Sequence, residues 1–106
     1  MNFLDDLRAT FTTHAARTAV EWHGQAYSYA ELERLALAAG ALLRVRGMGP
    51  GERVAVWTVD RFAFLVTHFG VLLAGGVSLP LNPRFTREEM RHFLADGGAA
   101  VGVWRS

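Results

Sequence analysis

Apolar residues recur along this chain with two different periods, and the change of period divides it into elements. Phe3, Leu4, Leu7 and Phe11 fall on one face of a helix whose pattern fades near Thr13. Asn2 is placed to cap that helix, with Asp5 near its positive end. Thr18 to Trp22 is β-favouring, His23-Gly24-Gln25 forms a turn, and Ala26 to Ser28 pairs back as a hairpin. Ser28-Tyr29-Ala30-Glu31 has the spacing of a capping box, in which the hydroxyl takes the third amide and the carboxylate reaches back. The helix that follows carries Leu32, Leu35, Ala36, Ala39, Leu42 and Leu43 at helical spacing and stops at Gly47.

After the Met48-Gly49-Pro50-Gly51-Glu52 turn, Val54 to Val59 is a nearly continuous apolar run, as in a parallel strand covered on both faces. Asp60 is placed to cap a helix bearing Phe62, Leu65, Val66, Phe69, Leu72 and Leu73. Gly75-Gly76 ends it and Val77 to Leu81 is a second buried strand. Asn82-Pro83 turns the chain, and Thr86-Arg87-Glu88-Glu89 is a second capping box, opening a short helix with Met90, Phe93 and Leu94 inward. Asp96-Gly97-Gly98 closes that helix, and Ala100 to Trp104 is a third strand. The prediction is an α/β fold: an N-terminal helix and β-hairpin, then a βαβαβ parallel sheet with right-handed crossovers.

Composition narrows the chemistry. The chain has 106 residues, is 51% hydrophobic and 20% charged, and carries a formal charge of +1, which suits one small globular unit. That charge offers no electrostatic case for nucleic acid or an anionic membrane. Phe62 to Pro83 has no Asp, Glu, Lys or Arg, but His68, Gly75-Gly76 and Pro80 break it into helix, turn and strand rather than a membrane span. Cysteine is absent, which removes disulfides and thiolate metal sites and fits a reducing, cytoplasmic setting. All eleven basic residues are arginine, so no mechanism can draw on a lysine of this chain.

Few side chains suggest a site. Gly47, Gly49 and Gly51 form a glycine-rich loop, but it runs from helix into strand, where no helix N-terminus meets an anion. His14, His23, His68 and His92 lack the spacing of a metal pair, and His68 reads as a hydrogen-bonded residue of an apolar helix. Asp5-Asp6 and Glu88-Glu89 belong to first helical turns, and Ser28 has no paired base. No catalytic or metal-binding residue is assigned. In open parallel sheets ligands gather beyond the carboxyl ends of strands. That points to Asp60 after the first strand and to Asn82, Arg84 and Phe85 after the second, where an arginine beside an aromatic ring could hold a phosphate or adenine.

Three segments in order resemble the start of the adenylate-forming (AMP-binding) enzymes, which include acyl-CoA synthetases, acyl-AMP ligases, luciferases and peptide-synthetase adenylation domains. They are Tyr27 to Leu32, Gly47 to Val56 and Leu72 to Pro83, and Thr86 and Glu89 continue the match. The resemblance implies that residues 1–106 are part of a larger N-terminal domain, ending before the family's phosphate loop. It implies a two-step reaction in the full-length protein: a carboxylate and ATP give an acyl-adenylate, and a thiol, usually of CoA, takes the acyl group. ATP, Mg²⁺ and CoA are then the cofactors of the full-length protein, and none is expected on this chain alone. In some CoA-using members the region matching Asn82 to Phe85 lies near the nucleotide part of CoA. The expected partners are the remainder of a synthetase, or a second copy pairing through exposed sheet. Two rival readings are a free-standing nucleotide- or CoA-binding module and an interaction protein that pairs with a complete synthetase.

Overall fold

The computed structural model describes residues 3–58, 60–81, 84, 86, 88, 89 and 91, together with the backbone of 101–105. The elements run α1 (Phe3–Thr13), β1 (Thr18–Trp22), β2 (Gln25–Ser28), α2 (Tyr29–Val45), β3 (Arg53–Thr58), α3 (Arg61–Leu73), β4 (Val77–Pro80) and β5 (Val101–Arg105). β1 and β2 form an antiparallel hairpin. The other three strands form a parallel sheet in the order β4-β3-β5. The N-terminal helix, the hairpin and the parallel sheet are as predicted, with strand limits shifted by a residue or so. Asn2, Val59, Met90, Phe93, Leu94 and the Asp96-Gly97-Gly98 stop lie outside the described residues.

The hairpin is tight because its two loop residues both adopt positive φ, His23 at 50° and Gly24 at 78°. That is the sense of turn that matches the twist of paired strands. Its second strand begins at Gln25, paired with Trp22, so the turn is one residue shorter than expected. The chain passes from β2 directly into α2 through the capping box: Glu31 N donates to Ser28 Oγ (3.1 Å) and Ser28 N donates to Glu31 Oε1 (3.0 Å). The second box is also formed, with Glu89 N donating to Thr86 Oγ1 at 3.1 Å.

Two clusters make the core. Leu43, Met48, Val54, Val56 and Val71 are buried between α2, α3 and one face of β3, with Phe64 and Ala74 packed against them. Phe11, Leu32, Ala36 and Leu73 are buried where α1, α2 and α3 meet, with Leu4, Leu7, Tyr29 and Phe69 at the edge. Phe11 meets Tyr29 and Phe69 edge to face, at centroid distances of 6.1 and 5.6 Å. α2 and α3 approach so closely at Gly40 and Gly70 that a Cβ on Gly40 would stand 2.6 Å from the Gly70 carbonyl oxygen.

Three leucine or phenylalanine placements differ from the sequence pattern. Phe3, Leu35 and Leu42 are exposed, at 65%, 41% and 55%. Phe3 is the first residue of its helix. Leu35 and Leu42 give way because α2 approaches α3 on its small residues, so the buried line is Leu32, Ala36, Gly40 and Leu43. Counting apolar residues favours the wider leucine face, whereas close backbone packing selects the smaller one.

Candidate functional site

The strand order decides where a site can form. From β3 the chain passes through α3 to β4 on one side, and β5 then lies on the other side of β3. β3 is therefore the central strand, and its carboxyl end, flanked by β4 and β5, is at the end of the sheet where open α/β folds bind ligands. Thr58 pairs in register with Arg105 there. The chain's order of elements cannot reveal this, because β5 could equally have extended the sheet beyond β4.

Asp60 stands at this end of the sheet, and its carboxylate is committed. Asp60 Oδ1 accepts from Phe62 N at 2.9 Å and Ala63 N at 3.0 Å, which caps α3. Its own amide donates to the Thr58 hydroxyl at 3.1 Å, and Thr58 is buried. Two amides on one carboxylate oxygen satisfy free donors of the first helical turn, so the cap accounts for the residue. Beyond β4, Leu81 is buried and its amide donates to the Val56 carbonyl at 2.9 Å, holding the start of the next loop against the sheet. Arg84 is exposed in that loop. Asn82 and Phe85 lie outside the described residues.

The glycine-rich loop is a helix stop. Gly47 has φ of 111° just after α2, and Gly51 has φ of 72°. Glu52 Oε1 accepts from Gly49 N at 2.9 Å, and Gly51 N donates to the Gly75 carbonyl at 2.9 Å. A carboxylate already occupies the loop's amide, which opposes an incoming phosphate. Among the described residues no three His, Cys, Asp or Glu side chains come together as a metal site. The described residues thus do not fit a Mg²⁺–nucleotide site: the acidic groups at the strand ends and in the loop serve backbone amides, and no lysine is present.

His68 has a partner the sequence did not disclose. Its Nδ1 lies 2.8 Å from Ser78 Oγ, joining α3 to β4. The ring stacks on Phe64 at 5.5 Å and meets Phe69 edge to face. Burial pulls its pKa below the ordinary histidine value, favouring the neutral ring. The pair is legible only once β4 is laid beside α3. A second feature of this kind is Trp57, whose Nε1 is buried with no acceptor among the described residues. A third is the aromatic group where the hairpin meets the start of α3: Tyr27 and Trp22 lie 4.6 and 6.4 Å from Phe62.

Comparison with known proteins places this arrangement. The chain is 44% identical over 94 residues to a feruloyl-CoA synthase of Amycolatopsis sp, covering 89% of this chain and 19% of that protein. It is 36% identical over 88 residues to gramicidin S synthase 2 of Aneurinibacillus migulanus, covering 83% of this chain and 2% of that one. The fold superposes on the anthranilate CoA ligase AuaEII, solved with anthranoyl-AMP, with a TM-score of 0.85 at 23% identity, over 98% of this chain and 20% of the ligase. The chain therefore spans at most about a fifth of the length of these proteins. No described helix is long and apolar enough to cross a membrane. The model of the AMP-binding enzymes matches residues 7–105, and the chain belongs to that family, corresponding to the N-terminal portion of its adenylate-forming domain.

Proposed function

We propose that this chain forms one wall of an ATP-dependent acyl-CoA synthetase, and that it does no chemistry alone. The observation that carries the reading is the pairing of a family match over residues 7–105 with polar groups spent on structure. Asp60, Ser28, Glu31 and Glu52 all hold backbone amides. In this reading the complete enzyme joins a carboxylate to ATP and passes the acyl group to CoA. ATP, Mg²⁺ and CoA then meet residues supplied by the rest of the polypeptide. The 44% identity to a feruloyl-CoA synthase supports a CoA-using ligase over a peptide-synthetase module. The loop of Asn82, Arg84 and Phe85 is the part proposed to come near the CoA nucleotide, through a guanidinium and an aromatic ring. A cytoplasmic setting suits a cysteine-free chain with such substrates.

The test joins this chain to the remainder of a feruloyl-CoA synthase in place of the matching segment. ATP–pyrophosphate exchange by the chimera, with none from the 106-residue chain alone, is the expected result. Exchange by the purified chain alone overturns the proposal. Saturable binding of CoA or ATP to the chain alone would favour a free-standing module instead.

A further inference from the structure

Among the described residues, the outer side of α2 carries a stripe of exposed and half-exposed side chains. Glu31, Leu35, Ala38, Leu42 and Arg46 follow one another at spacings of three or four, so they line one side of the helix. Leu35 and Leu42 are 41% and 55% exposed, and Val45 beside them is 83% exposed. The stripe is symmetric about the midpoint between Ala38 and Ala39. Leu35 and Leu42 lie equally far from it, and so do Glu31 and Arg46. A small residue sits at the centre, a leucine on either side, an acid at the N-terminal end and a base at the C-terminal end.

That order complements itself when reversed. We propose that the outer stripe of α2 is a self-recognition surface, on which two copies of this chain pair α2 against α2, antiparallel, about a two-fold axis near Ala38. Leu35 of each copy then packs on the other copy's Leu42, and Glu31 faces the other copy's Arg46. Ala38 lets the helices close at the crossing. Such an isologous contact needs a self-complementary patch, and this one has both apolar and charge complementarity. Glu31 gives Oε1 to the Ser28 amide and already feels Arg34 of its own helix, so in the pair its charge is shared between that arginine and the other copy's Arg46. The antiparallel sense also sets the positive end of each helix beside the negative end of the other.

The competing surfaces are the two sheet edges, β4 and β5, and the β4 edge is a poor one. β4 is four residues long and ends in Pro80, which has no N–H to pair with another strand. One helix pair buries less than the ~1,200 Å² of stable complexes, so the dimer is weak and concentration-dependent.

Sedimentation velocity from low to high micromolar chain tests the surface. The native chain should move from monomer to dimer, and Leu42→Glu should weaken association at least ~10-fold, as expected for a charge at the centre of a small interface. Leu35→Lys should do the same. Mixing Leu35→Lys with Leu42→Glu should restore a one-to-one dimer, because the antiparallel pair sets the new lysine against the new glutamate and keeps one leucine contact. Edge pairing and parallel helix pairing predict no such recovery. Arg46→Glu, just past the helix, should weaken the dimer by about fivefold without touching the leucines. Circular dichroism checks that each variant is folded, and Arg46→Glu serves if a leucine variant is not. A native chain that stays monomeric throughout, or a dimer indifferent to Leu42→Glu and Arg46→Glu, overturns the proposal.

Discussion

The two long helices are built on opposite plans. α2 is amphipathic but exposes leucines: Leu32, Ala36, Gly40 and Leu43 are buried, while Leu35, Leu37 and Leu42 are exposed. α3 is apolar almost all round, and from Phe62 to Leu73 no residue is exposed. It packs on β3 and β4 on one side and on α1 and α2 on another, so it is the common wall of both core clusters. A helix hydrophobic on all sides belongs inside, while one with a surplus of leucine has something left to cover. What joins the two plans is the glycine contact, which sets the helices close enough to dictate which leucines of α2 turn inward.

The sharpest way to break this contrast is to delete leucines from each helix at concentrations too low for association. Leu73→Ala in α3 and Leu32→Ala in α2, each 3% exposed, should cost about 3 kcal/mol, within the range for buried leucines. Leu42→Ala should stay within ~0.5 kcal/mol. Urea denaturation midpoints measure all three. A large loss for Leu42→Ala would mean that α2 has no outer face and the contrast is wrong.

Gly40→Ala probes the seam itself. The added methyl would meet the Gly70 carbonyl oxygen at 2.6 Å and Ala74 Cβ at 3.1 Å, so one helix must move. Alanine raises the intrinsic propensity of a helix by about 1 kcal/mol over glycine. The clash should outweigh that gain and leave a net loss of about 2 kcal/mol, typical of overpacking. The same midpoint assay decides it, and a stabilised protein would show that the helices have room to part.

The caps compare the helix starts. Ser28→Ala removes a reciprocal box and Asp60→Ala removes a carboxylate serving two amides. Each should cost about 1 kcal/mol, and Ser28→Gly less, by thermal or urea unfolding. Equal losses for Ala and Gly at position 28 would assign Ser28 some role other than capping.

The caps were legible in the sequence because they are local: a hydroxyl or carboxylate and an amide two or three residues on suffice to define them. Strands β3, β4 and β5 were legible from their apolar runs and the turns that bound them. The burial of α2 was half legible. Its period was clear, but the choice between Leu35–Leu42 and Ala36–Gly40 depends on a glycine thirty residues away in α3. The candidate site was least legible. The order β4-β3-β5 moves attention to the ends of β3 and β5, and no local pattern encodes which side of β3 the last strand joins. The commitment of Asp60 to its own helix was visible as a cap, whereas the His68–Ser78 bond needed the tertiary fold.

The smallest expected effect concerns His68, the one ionisable side chain in α3 beyond Arg61. Burial lowers its pKa in the folded chain below the value of 6.5 that it regains on unfolding. The unfolded chain therefore binds more protons in the window just below 6.5, and stability falls as pH falls through it. Above that window the neutral ring is favoured in both states and the contribution is complete. Glu31, whose amide and hydroxyl bonds from Ser28 hold its pKa below 4.5, loses its contribution only in more acid solution, so the two effects separate. His68→Gln retains a group able to bond Ser78 but cannot titrate. Its urea midpoint should fall less between pH 7.5 and 5.5 than that of the native chain. Parallel pH curves for the two proteins would mean that the ring takes up its proton in the folded chain as readily as in the unfolded one. The apolar surroundings of α3 would then exert no pull on the charge of His68.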